Sequence, residues 1–139
     1  MRVYSYSQGK KRGTVSHEDN AAESGVQIPD GALDRYGNPT DHPAFSQFVA
    51  TISALRAPDG CPWDREQTHA SISHNMIEES YEAVCAIEEE DVAHLREELG
   101  DVLLQVVLQS QIAADAGEFS IDDVCADVNA KMVRRHPHV

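Results

Sequence analysis

From Pro43 onward the apolar positions recur every three to four residues, the period of a helix with one buried stripe. In the first such segment, Pro43 to Arg56, that stripe is Phe45, Phe48, Val49, Ile52 and Leu55. "APDGCPWDREQ" follows; its two prolines and glycine predict a break. Thr68 reads as the N-cap of a second helix running to about Glu90, with Ile72, Met76, Ile77, Tyr81, Val84 and Ile87 as its apolar side. A third helix is predicted from about Asp91 to Ala116, carrying Leu95, Leu99, Val102, Leu103, Val106 and Ile112, with Gly117 just past its end. The fourth begins at Ser120. Asp123 three residues later makes a variant capping box, Phe119 and Val124 stand at the staple positions, and the helix runs to about Arg135, before Pro137.

No strand-like alternation of useful length interrupts this series. The expected class is all-α, an antiparallel bundle of about four helices. Residues 1–40 have no sustained period. There Arg2, Lys10, Lys11, Arg12 and Arg35 balance Glu18, Asp19, Glu23, Asp30 and Asp34, and the segment is expected to be a disordered tail ahead of a helical domain at 41–139.

The chain has 139 residues, 41% hydrophobic and 6% aromatic, which suits a single helical domain. Its formal net charge of −13 argues against phosphate-led nucleic-acid binding, which needs clustered Lys and Arg. Cys61, Cys85 and Cys125 form no CxxC, so neither a structural zinc site nor a disulfide framework is expected. With no long apolar run, a cytoplasmic protein that does not enter membranes is the expectation.

Acids concentrate in "IEESYEAVCAIEEEDVAHLREELGD", Ile77 to Asp101. Residues three apart share a helical face, so Glu79 pairs with Glu82 and Glu98 with Asp101. A tight turn near Glu90–Asp91 sets the two helices antiparallel and brings the pairs to a similar level. Four converging carboxylates repel unless a cation lies between them or they point outward. An all-oxygen set suits a hard cation such as Mg2+. Gly100, between Glu98 and Asp101, weakens the helix by roughly 1 kcal/mol against Ala, which suggests close approach by another helix or a ligand. The run Glu88 to Asp91 reads instead as a solvated helix end.

Gly60 to Val139 resembles a MazG nucleotide pyrophosphohydrolase domain. The family's EExxE…ExxD motif stands here as Glu78, Glu79, Glu82, Glu98 and Asp101. "GCPWDREQTH", "ELGDVLLQVV" and "KMVRRHPHV" match in order around it. The resemblance implies an all-α domain whose bundle is completed by dimerisation into a homodimer or higher homo-oligomer. It also implies hydrolysis of nucleoside triphosphates to monophosphate and pyrophosphate. Glu79, Glu82, Glu98 and Asp101 would hold Mg2+, with Mn2+ as a substitute. Glu78 and Glu82 would serve catalysis, because a carboxylate can orient or deprotonate the attacking water.

Lys131 and Arg134 share a face near the end of the fourth helix and are candidates for gripping the phosphates, with Asn129 nearby. The alternative is simple opposition to the helix dipole. Trp63 could stack on a nucleobase or anchor its loop. Cys85 departs from the family, where an aspartate is common.

A related all-α pyrophosphohydrolase acting on a special nucleotide, such as phosphoribosyl-ATP, is one rival, and there are two others. One is a catalytically weak dimerisation or nucleotide-sensing module. The other is a di-metal oxidase, which needs an ExxH motif on each of two helices; Glu66–His69 and Asp91–His94 fit it poorly.

Overall fold

The structure, a computed structural model, describes Leu33 and residues 36–138. Most of the expected tail lies outside that range. Its described part holds an isolated antiparallel bridge between Leu33 and Pro39. Among the described residues there are five helices and no strand: α1 (Pro43–Arg56), α2 (Pro62–Glu66), α3 (Ser73–Glu88), α4 (Val92–Asp115) and α5 (Ile121–Arg135). None is long and apolar enough to cross a membrane.

The bounds of α1 agree with its apolar stripe. Ile52 is buried, and Phe45, Phe48 and Val49 pack beside it. The expected break after α1 contains a helix of its own. Pro62 occupies its first turn, where a proline loses no hydrogen bond and its fixed φ fits. Gly60 makes the preceding turn possible, since a Cβ there would lie 2.3 Å from the Ala54 carbonyl oxygen. Arg56 locks the corner. Its side chain is 8% exposed, and the guanidinium donates to the carbonyls of Asp64 (2.6 Å) and Gln67 (3.1 Å) and pairs with Asp115 at 2.8 Å.

Thr68 is not the N-cap of the next helix. Its hydroxyl accepts from the Ser71 N–H at 3.1 Å, while the Ser71 hydroxyl accepts from the Thr68 N–H at 2.9 Å. These reciprocal bonds hold a turn in place of a helix, and α3 starts only at Ser73.

The inward face of α3 also differs from expectation. Ala83 and Ala86 are buried, whereas Ile77 (74% exposed), Tyr81 and Val84 face outward. Alanines let α4 approach closely, and α4 is the central helix, packed by α1, α3 and α5. Ile52, Ile72, Val107, Leu108 and Ile112 form the core, with Leu104 and Ile121 against it.

Four termini follow capping chemistry closely. At the end of α4, Gly117 sits at φ 71, and the N–H groups of Gly117 and Glu118 bond the carbonyls of Ala114 and Ala113, a Schellman motif. The end of α3 repeats this with Glu90 in the left-handed position at φ 55, its N–H bonding the Ile87 carbonyl and that of Asp91 bonding Ala86. Asp91 then caps α4 by accepting from the His94 N–H at 3.0 Å. The box at Ser120 is complete, with Asp123 Oδ2 accepting from the Ser120 N–H and Ser120 Oγ accepting from the Asp123 N–H.

Candidate functional site

The turn at Glu89–Asp91 folds α3 back on α4, and their carboxylates meet in reversed order, Glu82 with Glu98 and Glu79 with Asp101. Ligand atoms of Glu79, Glu98 and Asp101 lie within 4.8 Å of one another. Those of Glu82, His94 and Glu98 do the same. Glu98 is common to both groups, and its side chain is only 12% exposed. Glu79 and Asp101 are half-buried, and Glu78 and Glu82 are exposed.

Packing explains this placement. Glu79 continues the inward row of Ala83 and Ala86, one turn nearer the N-terminus. Desolvation, followed by the charges of Asp101, Glu98, Glu78 and Glu82, holds the Glu79 carboxyl above the ordinary carboxylate range. Like charges are therefore gathered in a partly desolvated seam. A divalent cation bound by hard oxygen donors would relieve that repulsion, so the donor set fits such an ion.

His94 was not anticipated at the site. Its Nε2 lies 3.1 Å from Glu98 Oε1, and its Nδ1 lies 3.5 Å from Glu89 Oε2. Desolvation lowers its pKa, but the hydrogen bonds and charges of Glu98 and Glu89 outweigh it, and the net shift is upward. Its signal in the sequence is the i, i+4 spacing to Glu98. Gln105 was also missed. It lies one turn beyond Asp101, is buried, and its Oε1 has no hydrogen-bond partner. An unmade bond of this kind costs about 1–3 kcal/mol.

Gly100 corrects an expectation. A Cβ there would meet nothing within 4 Å, so no close approach among the described residues accounts for the glycine. The run Glu88–Asp91 is exposed as expected, although Glu89 serves His94.

The structure does not bring the other candidates to the carboxylates. Lys131, Arg134 and Asn129 are exposed on α5, which packs on α4 without touching α3. Trp63 is 59% exposed on α2, which packs on α1. Cys85 is half-buried on α3 and belongs to neither donor group. Near the start of α3, His69, Ser73, His74, Met76, Ile77 and Gln109 line an open groove of about 590 Å³.

Residues 67–139 match the family model of the MazG nucleotide pyrophosphohydrolase domain. The chain is 60% identical over 95 residues to the uncharacterized protein YabN of Bacillus subtilis, covering 68% of this chain and 19% of that protein. It is 52% identical over 95 residues to the nucleoside triphosphate pyrophosphohydrolase/pyrophosphatase MazG of Thermotoga maritima, covering 68% and 37%. To the nucleoside triphosphate pyrophosphohydrolase of Escherichia coli K12 it is 48% identical over 96 residues, covering 68% and 36%. The chain thus spans well under half the length of these curated relatives.

Proposed function

The chain belongs to the MazG nucleotide pyrophosphohydrolase domain family, and from that premise we propose that it hydrolyses nucleoside triphosphates to nucleoside monophosphate and pyrophosphate with Mg2+. The observation that carries this reading is the convergence of Glu79, Glu98 and Asp101 within 4.8 Å across the α3–α4 seam. Their oxygens would hold the ion, and Glu82 adjoins through Glu98. Mn2+ would substitute, since it accepts the same oxygen donors. When bound, the ion neutralises phosphate oxygens and lowers the pKa of water.

The protein's own groups do the rest. Glu82, exposed beside Glu98, takes the proton from the attacking water, and Glu78 orients that water. The water oxygen bonds to the α-phosphorus, the bond from that phosphorus to the bridging oxygen breaks, and pyrophosphate leaves. Relatives named as nucleoside triphosphate pyrophosphohydrolases support the reaction class. The groove beside Met76 and Ile77 offers adjoining space for the remainder of the nucleotide. Lys131, Arg134, Asn129 and Trp63 would reach substrate only from a second copy or after movement of α5 and α2.

The exposed apolar row Ile77, Tyr81 and Val84, with Leu99 and Leu103 on α4, favours association with a second copy. A homodimer would cover it. The same face suits the second reading, a catalytically weak module that dimerises or senses nucleotide.

Pyrophosphate release from a panel of ribo- and deoxynucleoside triphosphates, with and without Mg2+, tests the proposal. Wild type should turn over only with metal, and Glu98→Gln should lose at least ~100-fold, the order expected when charge stabilisation at the reacting group is removed. Nucleotide binding without turnover, in folded dimeric protein, would favour the sensing module.

A further inference from the structure

Of the donors grouped along the α3–α4 seam, His94 alone supplies nitrogen. We propose that Glu82, His94 and Glu98 form a second divalent-cation position. It shares Glu98 with the Glu79–Glu98–Asp101 position and takes first-row transition dications such as Co2+, Mn2+ or Zn2+ rather than Mg2+. The proposal rests on the reading of the acidic cluster as a metal site and adds a second ion of different chemistry.

The fold fixes the imidazole in two ways. His94 stands in the first turn of α4, where its N–H bonds Asp91 Oδ1 at 3.0 Å. Glu90, left-handed at φ 55, turns the chain so that Glu89 reaches back to the ring. Glu89 Oε2 then faces Nδ1 at 3.5 Å. Glu89 is not one of the three donors. It stands at the opposite nitrogen, the place held by the outer carboxylate in carboxylate–histidine–metal arrangements. With an ion bound in place of the proton shared between Nε2 and Glu98, a proton on Nδ1 directed at Glu89 would leave the Nε2 lone pair to the ion.

Distances allow the position. The three donor atoms lie within 4.8 Å of one another, and Nε2 to Glu98 Oε1 is 3.1 Å. Nitrogen and oxygen ligands sit about 2.0–2.2 Å from a tetrahedral zinc, so they lie about 3.4 Å from one another. Side-chain adjustment, for which the exposed Glu82 has room, would close the set.

Donor chemistry sets the preference. Mg2+ demands oxygen ligands and gives up its waters reluctantly. Imidazole shifts affinity toward transition metals. The neighbouring all-carboxylate position keeps the hard-cation preference, so the two positions would sort ions by ligand type.

The experiment is calorimetric titration of the full chain with Co2+ and separately with Mg2+, together with proton NMR of the Co2+-loaded protein. Wild type, His94→Gln and Glu89→Gln are compared, each checked for folding by circular dichroism. Wild type should bind two Co2+ per chain and show paramagnetically shifted imidazole protons. His94→Gln should lose the second event and those signals. Glu89→Gln should weaken that event by about 10–100-fold. The Mg2+ titration should be the same in all three.

A Co2+ titration of folded His94→Gln that superimposes on wild type overturns the proposal, as do missing imidazole signals in the loaded wild type. Wild-type protein that binds Mg2+ and a single Co2+ without those signals sinks this inference alone. Wild-type protein that binds neither ion sinks it together with the metal-site reading beneath it.

Discussion

A single methyl group at Gly100 tests whether the surface between Glu98 and Asp101 is as open as it looks. Gly100 lies well inside α4 and is exposed, and an added Cβ meets nothing within 4 Å. With no steric term to oppose it, only backbone entropy and helix propensity count. Gly is less favourable than Ala in a helix interior by about 1 kcal/mol. Gly100→Ala should therefore stabilise the fold by about 1 kcal/mol. For a domain near 100 residues that corresponds to about 4–8 °C in Tm. The assay is thermal unfolding followed by circular dichroism, with chelator present, at two protein concentrations, because association is linked to stability. An unchanged or lower Tm at the lower concentration would refute the reasoning. Turnover adds a second reading. If substrate or a second copy occupies that surface, pyrophosphate release should fall even as Tm rises.

Three further outcomes are expected. Arg56→Ala should destabilise by about 1–3 kcal/mol in denaturant unfolding, since it removes the part-buried bonds to the carbonyls of Asp64 and Gln67 and the pair with Asp115; Arg56→Lys should recover little, lacking the planar fork. Glu79 has a folded pKa raised first by desolvation and then by its acidic neighbours. Its contribution to stability is thus fully present below the unfolded value of 4.5 and is lost as pH rises through the folded one. Metal-free wild type should lose stability across that rise, and Glu79→Gln should flatten the slope; a slope unchanged by the substitution would count against the crowding. Glu90→Gly should raise Tm, because it relieves a non-glycine residue at φ 55, and a fall would show that Glu90 makes contacts outweighing the strain.

Much of the helical layout was legible because capping and periodicity are local. The bounds of α1 and the Ser120–Asp123 box could be read from neighbouring residues alone. The acidic pairing was legible for a similar reason, since one short turn sets the register of both helices. Tertiary choices are not local. The apolar stripe of α3 predicts a buried face of large residues, but Ala83 and Ala86 are the buried ones, and periodicity does not say which of two non-polar faces turns inward. Pro62 looked like a breaker, although a proline starts a helix as readily as it ends one. Thr68 had the chemistry of a cap, and side-chain bonds with Ser71 diverted it. His94 has a local signal in its i, i+4 spacing to Glu98, but its approach to Glu82 depends on how the turn folds α3 back on α4.

Among the described residues the donors all come from one helical hairpin, α3 and α4 joined at Glu89–Asp91, with no contribution from α1, α2 or α5. Such pairings need little loop closure, and contacts of short sequence separation form early in folding. The acids therefore come together before the rest of the molecule can hold them there, so their repulsion acts on the folding transition state as well as on the finished protein. A cation that binds the hairpin should accordingly accelerate folding, and its effect should appear in the refolding limb of the chevron rather than only in slower unfolding.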